Sequence, residues 1–134
     1  TMVPLPRLTT VGGVPLSKLM DDETSEAIVQ RTRKGGGEIV KLLGTSAWYA
    51  PGAAAAQMAE AILTDRKLTV PVSIRLDGQY GLSDVYLGLP VVLGKDGIEK
   101  VIELDLTDDE LALLNQSANS VKSVMKVLDD MNLF

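Results

Sequence analysis

From Leu68 to Leu93 apolar residues return at every second position, and that period dictates a sheet. Leu68, Val70, Val72, Ile74 and Leu76 fall on one side of a strand, with Thr69, Pro71, Ser73 and Arg75 on the other. This alternation predicts a half-buried strand over 68–76. Pro71 cannot donate to a ladder, so the strand is expected at an edge or at a bulge. Asp77-Gly78 and Gly81 turn the chain, and Val85, Leu87, Leu89, Val91 and Leu93 repeat the two-residue period. Gly94-Lys95-Asp96-Gly97 turns it again, and Ile98, Ile102, Leu104 and Leu106 predict a third strand, with Lys100 as the exception to its pattern. Links this short allow only antiparallel pairing, so the centre of the chain reads as a β-meander.

Helical signals flank the meander. Thr107-Asp108-Asp109-Glu110 has the layout of a capping box. Leu111, Leu114, Ala118, Val121, Met125 and Leu128 then step by three and four, giving an apolar seam expected to pack on the sheet, with residues 129–134 as a tail. Upstream, Asp21 or Asp22 can cap a helix over 21–43 along which Ile28, Thr32, Ile39 and Leu42 recur. Gly35-Gly36-Gly37 interrupts it and predicts a break, a kink or a close helix contact. A phosphate loop is the sharper alternative there, but neither GxGxxG nor GxxxxGK[ST] occurs. Pro51 suits the first position of another helix over 51–64, whose alanines at 53–56 and following Met58, Ala59, Ala61, Ile62 and Leu63 predict burial all round. The first 19 residues read as extended structure with turns, since Pro4 and Pro6 forbid a helix there. Leu8–Val11 and Val14–Leu16 form hairpin arms about Gly12-Gly13. The expected class is α+β, an antiparallel meander with packed helices, over a single domain 1–134.

Composition narrows the chemistry. Of 134 residues, 46% are apolar and 23% charged, the balance of a globular domain. A net charge of −5 argues against a nucleic-acid partner. The basic cluster Arg31, Arg33 and Lys34 is flanked by Glu26 and Glu38 and reads as a solvated helix end. Without cysteine there are no disulfides or thiolate metal sites, and a reducing, cytoplasmic setting is expected. No apolar run reaches the ~18 residues of a membrane span. There is no histidine, so no serine has an imidazole partner and no catalytic residue is assigned. Asp108-Asp109-Glu110 and Asp21-Asp22-Glu23 are the tight acidic groups; both read as helix caps, and no metal site is assigned. The tyrosines at 49, 80 and 86 are scattered and are expected half-buried with hydroxyls outward. The segment Gly44–Gly52 combines the only Trp, two hydroxyls and a loop-to-helix transition. It reads either as a plain structural loop or as a helix start that receives an anion.

Several runs, in order, resemble malate dehydrogenases. They are Thr1-Met2-Val3-Pro4-Leu5, Arg31-Thr32-Arg33-Lys34-Gly35-Gly36-Gly37-Glu38-Ile39-Val40, Ser46-Ala47-Trp48-Tyr49-Ala50-Pro51, Gln79-Tyr80-Gly81 and Gly88-Leu89-Pro90-Val91-Val92-Leu93-Gly94. The likeness is to the lactate-dehydrogenase-like branch found in many bacteria. The triple glycine and Ala50-Pro51-Gly52 are more similar to the malate than to the lactate enzymes. The resemblance implies the C-terminal, substrate-side domain of an NAD enzyme that interconverts malate and oxaloacetate in the tricarboxylic acid cycle. In that family the dinucleotide-binding half, the catalytic histidine and its carboxylate, the substrate-clamping arginines and an asparagine all precede this segment. The chain is therefore expected to be inactive alone and to bind no NAD by itself. The resemblance places Ser46 and Ala47 beside substrate and Pro51 behind the nicotinamide. Lactate dehydrogenases usually carry Thr where Ala47 stands, so a hydroxyl is missing here. It also implies a homo-oligomer, dimer or tetramer, with the first helix at subunit contacts. The alternatives are a fragment of a lactate or other 2-hydroxy-acid dehydrogenase, and a non-catalytic oligomerisation module.

Overall fold

The computed structural model describes residues 2–131. Thr1 of the first family-like run and residues 132–134 of the expected tail lie outside the described residues. The chain divides into two compact units, residues 2–52 and 53 onward.

The unit 53–131 is built on the sheet β3 (Leu68–Asp77), β4 (Ser83–Gly94) and β5 (Gly97–Val101), antiparallel in that order. The meander and the α+β class are therefore as the alternation predicts. The core is Ile74 and Leu76 of β3, Val85, Leu87, Leu89, Val91 and Leu93 of β4, Ala61, and Leu114 and Ala118. Leu76, Val85 and Val91 are the largest fully buried side chains. β3 is an edge strand, as Pro71 requires. Pro71 lies opposite Pro90, whose carbonyl accepts the Ile102 N–H at 2.8 Å on the far side. In an antiparallel ladder both polar groups of a residue point the same way, so the missing N–H of Pro71 falls on the open edge.

The third strand is shorter than expected and shifted in phase. A register break after Leu93↔Ile98 leaves Glu99 unpaired, so Val92 faces Lys100 and Val91 faces Val101. Val101, not Ile102, joins the core, which accounts for the exception at Lys100. Ile102, Leu104 and Leu106 lie beyond the strand, though they keep alternate half-burial. Tyr80 holds this stretch: its hydroxyl donates to the Leu104 carbonyl at 3.1 Å and accepts the Leu104 N–H at 2.5 Å. That hydroxyl is thus engaged rather than outward, while Tyr49 and Tyr86 are more exposed than half-buried residues.

Helix α3 (Asp108–Asp130) opens on the predicted capping box: Thr107 N–H donates to Glu110 at 2.9 Å, and Glu110 N–H to the Thr107 hydroxyl at 3.3 Å. Leu114 and Ala118 are buried and Leu111 and Val121 pack beside them, but Leu128 at the end of the seam is exposed. The helix also runs through Asp129 and Asp130, which were expected in the tail. Gly94 lies under the carboxylates of Glu99 and Asp65, which would have to move aside for a Cβ there. Those carboxylates hold the Lys67 ammonium, at 2.5 and 2.8 Å.

The unit 2–52 starts with a 3-10 turn at Pro6–Leu8, the hairpin β1 (Thr10–Val11) and β2 (Val14–Pro15), and a second 3-10 turn at Leu16–Lys18. The hairpin is as expected but shorter. Pro6 starts a helical turn instead of forbidding one, because the first position needs no N–H. Helix α1 (Asp22–Leu43) follows, capped by the Asp21 carboxylate accepting the Thr24 N–H at 2.7 Å. It runs unbroken through Gly35-Gly36-Gly37, against the expected interruption. A Cβ at any of the three would meet nothing within 4 Å, so no close helix contact explains them in this chain. Glycine costs about 1 kcal/mol each in a helix but keeps its backbone N–H, so the ladder can continue.

Helix α2 (Tyr49–Leu63) begins two residues before the predicted start, placing Pro51 third rather than first. The first-turn N–H groups have no intrahelical acceptor, so proline is still accommodated. The all-round burial expected of α2 is not found. Only Ala61 is buried, and 53–57 are exposed although they are apolar apart from Gln57.

Candidate functional site

Ser46, Ala47 and Pro51 fall within six consecutive residues that join α1 to α2. The loop exists because α1 ends on Gly44 in a left-handed conformation, φ 70°, with its N–H donating to the Val40 carbonyl at 2.9 Å. Only glycine adopts that backbone at no steric cost. Two residues on, Ser46 is exposed and Ala47 half-buried. The first turn of α2 closes with Gly52 N–H on the Trp48 carbonyl at 2.9 Å. Of the donors a helix start leaves free, the one at Pro51 is missing. This start is accordingly a weaker anion receiver than an ordinary one. Pro51 itself is exposed and offers an apolar ring to whatever meets the segment.

Aromatic surface lies between these positions. Trp48 is 56% and Tyr49 75% exposed, with ring centroids 5.8 Å apart. Leu42 and Leu43 at the end of α1 are exposed as well. A loop with a serine, small side chains, a proline and open aromatic faces can shape a pocket wall. It holds no histidine, carboxylate or lysine. Among the described residues, no group of three or more His, Cys, Asp or Glu could hold a metal ion, and no helix is long and apolar enough to cross a membrane.

The sequence reading noted Ile28, Thr32, Ile39 and Leu42 at helical spacing but not the groove that they line. On α1, Ile28, Thr32, Gly35, Ile39 and Leu42 form one face, and with Arg31 and Glu38 they line a groove of about 480 Å³. Arg31 and Glu38, seven residues apart, join across the bare Gly35 position at 3.0 and 3.2 Å. The Arg31 guanidinium lowers the Glu38 pKa, and Glu38 raises that of Arg31, chiefly through this hydrogen bond. The steps of four and three from 28 to 42 carried the signal, once Gly35 is counted as a position on the face. Both acidic groups act as helix starts, as read from sequence: Asp21 caps α1 and the 108–110 group opens α3.

Comparison with known proteins gives a consistent picture. The lactate/malate dehydrogenase, alpha/beta C-terminal domain family matches residues 1–131. A malate dehydrogenase of Cytophaga hutchinsonii is 62% identical over 96% of this chain and 41% of its own length. One of Salinibacter ruber is 60% identical over 92% of this chain and 39% of its own. The chain thus spans about two-fifths of the length of these curated relatives. Among solved structures, the 1.55 Å malate dehydrogenase from Salinibacter ruber superposes with a TM-score of 0.93 at 56% identity, covering 97% of this chain and 43% of that one. The lactate dehydrogenase from Eimeria maxima, solved with NADH and oxamate, gives 0.92 at 40%, covering 96% and 42%.

Proposed function

Since the chain belongs to the lactate/malate dehydrogenase C-terminal domain family, we propose that it is the substrate-side part of an NAD-dependent malate dehydrogenase. The observation that carries this reading is the 62% identity to a malate dehydrogenase along nearly all of the chain. The curated relatives quoted above, at 62% and 60% identity, are malate dehydrogenases, and they support malate and oxaloacetate as the pair.

Within that reading Ser46 and Ala47 form the wall beside substrate and Pro51 the surface behind the nicotinamide. The exposure of Ser46 and Pro51 on one short segment supports this, as does the small side chain of the half-buried Ala47, which leaves room. The residues fit NAD only as a wall: the exposed Pro51 ring suits a flat face, but no glycine-rich dinucleotide loop occurs in these residues. NAD would supply the hydride acceptor. This chain's part is to position substrate and exclude water. The proton-moving imidazole must come from other polypeptide, since there is no histidine.

We further propose a cytoplasmic homo-oligomer. The exposed α1 face of Ile28, Ile39 and Leu42 supports self-association, being a contiguous apolar surface of the kind that marks interfaces.

A chimera tests the reading. Residues 1–134 replace the corresponding part of the Salinibacter ruber enzyme, and oxaloacetate reduction by NADH is followed. Turnover within about tenfold of the parent is expected, with none from the isolated chain. A folded chimera that ignores oxaloacetate but reduces another 2-oxo acid would overturn the substrate assignment. Turnover by the isolated chain would overturn the division of labour. Light scattering over a concentration series checks assembly, and a strict monomer in the chimera would count against the oligomer.

A further inference from the structure

No further inference is drawn: the strongest candidate, the exposed apolar stripe of Val124, Val127, Leu128 and Met131 at the end of α3, is an unpartnered helix face, and nothing in the structure shows what covers it.

Discussion

Every buried side chain among the described residues belongs to the part of the chain from residue 53 onward, and none to residues 2–52. Yet the segment assigned to the pocket, Ser46 to Pro51, lies in the part without a core. The sheet unit carries its own reason to fold, a continuous apolar layer between β4 and α3. The other unit is held by local devices: a cap at each end of α1, a two-residue hairpin turn and a surface ion pair. Stability and the proposed site are thus carried by different stretches. Apolar surface is left uncovered where the core is not.

The contrast can be broken most directly by truncating one leucine in each unit. Leu76→Ala removes a fully buried side chain (1% exposed) from the sheet core. It should lower unfolding stability by about 2–5 kcal/mol in urea titration. Leu42→Ala acts on a side chain 78% exposed in the single chain, and in the isolated chain, diluted until it is monomeric, should change it by no more than about 0.5 kcal/mol. Equal losses would mean that the helix face is covered in solution, and the comparison would fail.

How far the sequence foretold this division depends on which force set each element. Residues 68–93 were legible because a period of two has one reading when one face is buried. The caps at Asp21 and Thr107 were legible because they are local hydrogen bonds between neighbours. The phase of β5 was not, because the unpaired Glu99 shifts its register by one residue, and the only trace of this in the sequence is Lys100 breaking the alternation. α2 misled for a different reason. Apolar composition states what a helix would gain from burial, not whether anything is there to bury it. The same holds for Gly35–Gly37, read as a break or a contact and found as an uncovered surface. For Ser46, Ala47 and Pro51, the residues alone gave a loop before a helix. The roles proposed for them rest only on family likeness, because a serine, an alanine and a proline leave no chemical signature of a pocket wall.

Capping separates the units at a smaller scale. Thr107→Ala removes the hydroxyl that accepts the Glu110 N–H, and should cost about 1 kcal/mol in the same titration. Helix α3 packs on the core, so this loss should appear in global unfolding. A loss confined to helix content, with an unchanged midpoint, would place α3 outside the cooperative unit.

Gly36→Ala sharpens the comparison from the other side. Its added methyl group meets nothing within 4 Å, so it should stabilise α1 by about 0.4–1 kcal/mol, read as increased helicity on heating. In the chimera the same change should weaken subunit association if a neighbouring chain approaches this face. Stabilisation in both settings would remove close approach as the reason for the glycines.

The smallest expected effect is the pH dependence of the α1 cap. The Thr24 backbone N–H, and then its side chain, hold the Asp21 carboxyl below its ordinary value of 3.8. A carboxyl depressed in the folded state stabilises fully above the unfolded value and loses that contribution as pH falls through the folded one. Acid should therefore unwind the start of α1 only below about pH 4. Asp21→Asn keeps an oxygen acceptor without the charge, so its helicity should lose this step while staying near wild type at neutral pH. Circular dichroism of the two chains through the acid range compares them. Glu38, similarly depressed by Arg31, contributes to both curves alike and drops out of the difference. Superimposable acid profiles would mean that the charge on Asp21 adds nothing to the α1 cap beyond the oxygen that accepts the Thr24 N–H.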